Sequence, residues 1–434
     1  MLFRNISFLD KNGTIIPNQN VLIEGKTIQS VGNEIPEGYQ GAVYEGQGKL
    51  LMPGFVNSHS HTPMTLMRGY GENMVLSKWL NDCIFPFEAR LQPNDVYYAT
   101  LLGIAEMVRF GIVSTTDMYY FIPKMSAAFV SAGMKANLSH TIVGTFGGDF
   151  NRCPACSDSR KAFLNYHGAG DGLIQIDVGI HAEYTTDEKA VWGAANLAKD
   201  LKTGIHVHLS ETKEEVEGCK TRRKGLTPTQ YFDRLGVFDV PTVAAHGIWL
   251  EDGDLEILSE KNVSVVTCPK SNLILASGLF DYARLNRAGI NIAIGTDSVA
   301  SNNNLNMLEE MKIFSLLQKY RSGDPTQVKP WEVLQLAISN GYLAQRRTDC
   351  GIIAPGYRAD LIVVDMSNPY WQPTHNILNN LIYSAAGTDV VLTMIDGEIV
   401  YRDGEYPTID IEQVKYEVET SKQRILTELN NKSQ

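Results

Sequence analysis

Long apolar runs are missing from this chain of 434 residues. No stretch approaches the ~18 uninterrupted apolar residues that a membrane-crossing helix needs. The opening MLFRNISFLDKNGTIIPNQN has only a short apolar run broken by charges, so it is not expected to be a secretory signal. Cysteine is scarce, with six scattered over the chain. Without a secretory context they are expected to be reduced thiols of a cytoplasmic protein. Cys153 and Cys156, in CPAC, are expected to be free thiols in a loop. Neither a thioredoxin-like context nor a second pair at metal spacing accompanies them. Positive charge is in deficit too, 38 Lys and Arg against 49 Asp and Glu, for a net charge of -11. That balance argues against a nucleic-acid surface and leaves a small molecule as the expected partner. Self-association stays open.

What is present is 44% hydrophobic residues, enough for a large core. The first fifty residues alternate short β-like runs with turns, as in NVLIEGKTIQSVG. The same texture returns in GYRADLIVVDM and in VVLTMIDGEIVYRDGEYP, where Asp396-Gly397 signals a hairpin. Segments from both chain ends, 1–53 and 352–434, are expected to build one small β-sandwich domain. A terminal helix is expected from the spacing in IDIEQVKYEVETSKQRILTELNN.

Between them, 54–351 repeats an apolar strand followed by an amphipathic helix. GFVNSHSH, GIVSTTDM, KANLSHTIV, QIDVGIHA, GIHVHLSE, TVAAHGI, VSVVTCP and NIAIGTD make eight strands. The α/β fold expected from this repeat is a (β/α)8 TIM barrel. A doubly wound sheet is the alternative, disfavoured because no glycine-rich dinucleotide turn follows the first strand.

Functional side chains of such a barrel sit at the C-terminal ends of its strands. His59 and His61 end the first strand and His140 lies near the end of the third. His181 ends the fourth, and His208, with Glu211 just beyond, the fifth. His246 ends the sixth and Asp297 the eighth. Residues i and i+2 of a strand face the same way, so His59 and His61 can aim two imidazoles at one point. His208 and Asp297 can complete the set. Three imidazoles and a carboxylate suit zinc first and iron second, not calcium or magnesium. His206 shares the face of His208 but lies one layer deeper. It is expected to be a buried, hydrogen-bonded neighbour, with His208 the ligand.

These stretches resemble the signature of the amidohydrolase superfamily: PGFVNSHSH on the first strand, HLSET on the fifth, AAHGIWL and IGTDSVASNN further on, and GIIAPGYRADLIVVD at the return to the β domain. Within it, HTPMTLMRGYGENMVLSKWLNDCIFPFEARL is similar to the deaminase and chlorohydrolase branch, above all to 5-methylthioadenosine/S-adenosylhomocysteine deaminases. The resemblance implies one metal ion held by His59, His61, His208 and Asp297, with Asp297, Glu211 and His246 as catalytic groups. It also implies nucleoside contacts from Trp79, Glu88 and His181. Arginines for the amino-acid tail of S-adenosylhomocysteine are implied as well. One such position is His140 here, and the other corresponds to Arg160. The implied reaction is hydrolytic deamination of an adenosine-type nucleoside: 5-methylthioadenosine, S-adenosylhomocysteine, 5′-deoxyadenosine or adenosine. Deamination of a guanine- or pterin-type heterocycle, dechlorination and non-catalytic binding are the alternatives.

Overall fold

The computed structural model describes residues 1–71, 73–144 and 154–431. Strands are numbered along the chain. The first five are β1 (Leu2–Leu9), β2 (Ile15–Glu24), β3 (Thr27–Gly32), β4 (Val43–Glu45) and β5 (Lys49–Pro53). The barrel strands follow: β6 (Phe55–Ser60), β7 (Ile112–Tyr119), β8 (Lys135–Ile142), β9 (Ile174–Ile180), β10 (Ile205–Leu209), β11 (Thr242–His246), β12 (Ser264–Thr267) and β13 (Asn291–Ile294). The last three are β14 (Leu361–Asp365), β15 (Val390–Ile395) and β16 (Glu398–Arg402).

The end strands join in one mixed sheet of order β16-β15-β14-β5-β1-β2-β3, with β4 on β1. Its inward side chains, Phe3, Ile6, Val21, Leu51, Val363 and Leu392 among them, form a core of their own. The β15–β16 hairpin turns on Asp396 and Gly397, at φ 47° and 80°. Two consecutive left-handed residues are what a tight hairpin turn of matching twist requires. Gly397 has a second reason: a Cβ there would lie 2.0 Å from the Gly25 carbonyl oxygen.

β6 to β13 run parallel in sequence order, each pairing with the next. The helices between them bury one stripe each. Glu188–Leu201 is typical. Asp187 caps it by accepting from the Ala190 N–H at 2.8 Å, and Val191, Ala194, Ala195 and Ala198 are buried at helical spacing. The barrel interior departs from an all-apolar filling. β7 reads IVSTTDMY and is buried throughout. Its inward polar groups are satisfied from below, where Ser114 Oγ donates to Gln345 Oε1 at 2.6 Å and Gln345 Nε2 to Thr116 Oγ1 at 3.1 Å.

The barrel closes where the end of β13 meets β6. The Asp297 N–H donates to the His59 carbonyl at 3.0 Å. Asn57 clamps Thr296 twice, at 2.8 and 2.9 Å. Gly295 makes the approach feasible, since a Cβ there would lie 2.7 Å from the His59 nitrogen. No helix among the described residues is long and apolar enough to cross a membrane.

At the opposite end, Lys135 opens β8 and carries a buried ammonium to Asp360 and, at 2.6 Å, to Asp396. One lysine thus ties the barrel floor to the mixed sheet. Lys135→Met would leave two buried carboxylates without this cation. It should cost about 3–5 kcal/mol of stability, read as a lower midpoint in urea denaturation.

Candidate active site

The strand ends bring His59, His61, His208 and Asp297 to one point above the closure. The His61 and His208 Nε2 atoms are 3.2 Å apart. Asp297 Oδ1 lies 3.5 Å from His59 Nε2 and 3.4 Å from His61 Nε2. Ligand atoms bonded at ~2.0–2.1 Å to a tetrahedral ion would stand ~3.3–3.5 Å apart. The His61 Nδ1–H donates to the Met118 carbonyl at 2.6 Å, and that of His208 to the His181 carbonyl at 2.8 Å. Both rings therefore turn an unprotonated Nε2 toward the same point. The Nε2 of His59 is buried and has no hydrogen-bond partner. Lone pairs facing one another in a dry cluster repel unless a cation lies between them. The donor set fits a divalent ion.

Burial first, then the crowding of like rings, keeps these imidazoles neutral, with His59 lowered to about 4 and His181 to about 3. Asp297 lies against these rings, its Oδ1 within 3.5 Å of the His59 and His61 Nε2 atoms. Ser271 Oγ and the Ser298 N–H also donate to its oxygens, at 2.6 and 2.7 Å. Asp297 and His246 both sit in the left-handed backbone region, at φ 60° and 75°. Strained backbone of this kind concentrates at functional sites.

Glu211 stands beside the cluster, its Oε2 3.7 Å from His246 Nε2. Burial raises its pKa, and His246 opposes this in part. Ser277 Oγ donates to its other oxygen at 3.0 Å. Burial lowers the charged form of His246, but Glu211 and then Asp297 overcome that and raise its pKa. Its Nδ1 is held by Asn272 Oδ1 at 2.9 Å.

A cleft opens above these groups. Trp79, Glu88 and His181 line it together with His61, His208, Glu211, His246 and Asp297. Trp79 arrives on a π-helical turn, Trp79–Ile84, a geometry common at functional sites. Glu88 is partly accessible through the cleft, yet burial pushes its carboxyl up to about 7, the Tyr119 hydroxyl opposing this only in part. His181 is fixed by Thr185 Oγ1 at 2.9 Å. A second cavity adjoins at Phe85, Glu88 and Tyr120 and continues past His140, Asp158 and Lys161.

Arg160 does not join the site. On the helix Pro154–Tyr166, positions 158, 161, 162 and 165 face the second cavity. Arg160 lies on another face with Ser157, beside Trp192, its guanidinium 3.9 Å from Asp200. The spacing of 3.6 residues per turn sends it away from the barrel mouth. The expectation of free thiols is corrected at Cys156, in the first turn of this helix, which is disulfide-bonded. Cys153 lies outside the described residues. Cys83, Cys219, Cys268 and Cys350 are free thiols.

The profile of the amidohydrolase family matches residues 50–400. The chain belongs to that family. It is 39% identical over 409 residues to a 5-methylthioadenosine/S-adenosylhomocysteine deaminase from Pelotomaculum thermopropionicum, covering 94% of each chain. A 5′-deoxyadenosine deaminase from Methanothermobacter thermautotrophicus is 40% identical over 420 residues, 96% of each. Among solved structures, an adenosine deaminase from Xanthomonas campestris with bound zinc superposes with a TM-score of 0.91 at 30% identity, over 98% of both chains. An atrazine chlorohydrolase from Arthrobacter aurescens, complexed with zinc, superposes at 0.89 with 18% identity over 97% of this chain and 99% of that one, a likeness of fold alone.

The sequence reading missed Ser271, Asn272 and Ser277, which follow β12 and hold Asp297, His246 and Glu211. The strand-end rule applied to the seventh barrel strand would have found the first two. His61→Ala should lower zinc affinity at least ~100-fold, beyond what loss of an outer partner costs, with the far-UV spectrum unchanged. Competition with a metallochromic chelator measures it.

Proposed function

We propose that the protein is a metal-dependent hydrolytic deaminase of an adenosine-type nucleoside, releasing ammonia and leaving the inosine analogue. The observation that carries this reading is the placement of Glu211: a buried carboxyl 3.7 Å from His246 and beside a three-histidine, one-aspartate cluster. The names of the relatives and the zinc in the adenosine deaminase structure support it. His59, His61, His208 and Asp297 would hold one divalent ion, zinc before iron, whose Lewis acidity lowers the pKa of water toward ~7.

The chain's own groups do the rest. Glu211 donates its proton to the ring nitrogen beside the amine-bearing carbon, which makes that carbon electrophilic. Asp297, ionised, accepts a proton from the attacking water. Glu211, now a carboxylate, takes up a proton and passes it to the departing amine as ammonia. His246, held by Asn272, donates to the oxygen that becomes the product carbonyl. Trp79 excludes solvent over the base, and Glu88 accepts hydrogen bonds from ribose hydroxyls. His181 completes the wall.

The second cavity lies beside Glu88, which suits it to whatever the nucleoside carries at its 5′ carbon. Among the described residues, the charged groups on its lining are Glu88, Asp158 and Lys161, with His140 beside them and no arginine. This lining favours adenosine, 5′-deoxyadenosine and 5-methylthioadenosine over S-adenosylhomocysteine. The reading makes the protein a cytoplasmic enzyme with a soluble small-molecule substrate and no nucleic-acid or membrane partner.

Ammonia release with kcat/KM for those four nucleosides, guanine and a pterin tests this. No release from any of the nucleosides by zinc-loaded protein would sink the deaminase reading. Glu211→Gln should lower kcat by ~10²–10⁴ while zinc binding persists. Glu88 titrates near 7 with its proton on below that pH. Acceptance of ribose hydroxyls needs the ionised form, so KM should fall about tenfold as pH rises from 6 to 8. In Glu88→Gln that dependence should be gone.

A further inference from the structure

Two histidines of the cluster are held by groups of fixed polarity. The partners of His61 Nδ1 and His208 Nδ1 are backbone carbonyls, at 2.6 and 2.8 Å, and a carbonyl only accepts. His59 is different. Its Nδ1 faces the Nε2 of His206 at 2.8 Å, with both residues fully buried. An imidazole nitrogen can donate or accept, so this contact alone leaves open which ring carries the hydrogen. If His206 donated, His59 would carry its hydrogen on Nε2 and would be useless as a ligand.

The direction is decided two links away. Ser139 Oγ donates to the Asp117 carbonyl at 3.1 Å, which commits its only hydrogen. The same oxygen stands 3.4 Å from His206 Nδ1 and can offer it only a lone pair. His206 therefore carries its hydrogen on Nδ1 and accepts at Nε2. His59 must donate from Nδ1, and its Nε2 is left bare. That Nε2 is the buried atom without a partner.

We infer that His206 is a positioning residue: oriented by Ser139 and the Asp117 carbonyl, it fixes the tautomer of His59 that can bind a divalent cation. The chain of polarity runs through four barrel strands, β7, β8, β10 and β6. It rests on the metal-centre reading above, but it concerns the zinc-free protein as well.

Two measurements test it. The first is ¹⁵N NMR of histidine-labelled, zinc-free protein, which reads which nitrogen of His59 bears hydrogen. Hydrogen on Nδ1 is expected; hydrogen on Nε2 would overturn the inference. The second is zinc affinity by chelator competition for His206→Leu, His206→Gln and Ser139→Ala. A glutamine Oε1 can accept in place of the imidazole Nε2, so His206→Gln should bind within about threefold of the parent. His206→Leu should lose ~10–100-fold, the usual cost of removing an outer partner. Ser139→Ala should fall between. Equal losses in the Gln and Leu variants would show a packing role only and would overturn the assignment, as would unchanged affinity in His206→Leu. Should the parent protein bind no zinc, the metal-centre reading fails, while the NMR result still decides the tautomer.

Discussion

The seam that closes the barrel is the contact on which the site depends. One backbone hydrogen bond, from the Asp297 N–H to the His59 carbonyl, links the segment just past the eighth barrel strand to the first strand. It joins the two residues that contribute a carboxylate and the most buried imidazole to the cluster. Asn57 and Thr296 reinforce it one step below, and Gly295 removes the side chain that would hold the strands apart. A small opening of this seam would move Asp297 away from His59 and His61 together. The cluster is therefore as rigid as the barrel.

Around that point the protein arranges protons with an unusual bias. Burial pushes the imidazoles of His59, His61, His181 and His208 toward the neutral form, while it raises the carboxyls of Glu88, Glu211 and Glu215. Glu215 faces inward and accepts from the Ser210 and Glu211 N–H groups at 3.0 and 2.7 Å, fixing the backbone that presents Glu211. Neighbouring carboxyls in different environments are thus tuned to different protonation states, the usual way one site supplies both an acid and a base at neutral pH.

Much of this was readable in the sequence because barrel strands are short and their ends are marked. Six of the eight strand stretches contain the strand observed, and the second and fourth miss one end residue each, Tyr119 and Ile174. The two-residue period put His59 and His61 on one side, and the depth difference between His206 and His208 followed from the same period. The seventh strand carried no histidine or acid, so Ser271 and Asn272 passed unnoticed; hydroxyls and amides at strand ends look like ordinary capping residues. Arg160 failed for another reason. Its facing depends on the phase of the helix that carries it. The stretch before that helix offered no pattern from which to set the phase. Hydrogen-bond polarity, as in the Ser139–His206–His59 chain, is not encoded locally at all, because its members lie on different strands far apart in sequence.

The sheet built from both chain ends has a consequence in time. Leu50 of β5 pairs with Val364 of β14, about 310 residues later. At a synthesis rate of roughly 5–20 residues per second, some 15–60 s separate their emergence from the ribosome. Throughout that interval β5 lacks a neighbour on one edge, and the apolar side chains Leu51, Phe3 and Ile6 lack half of their core. The barrel has to form while that edge waits. The yield of folded enzyme is then governed by how well an unfinished sheet is shielded during translation, a quantity that the stability of the finished molecule does not report.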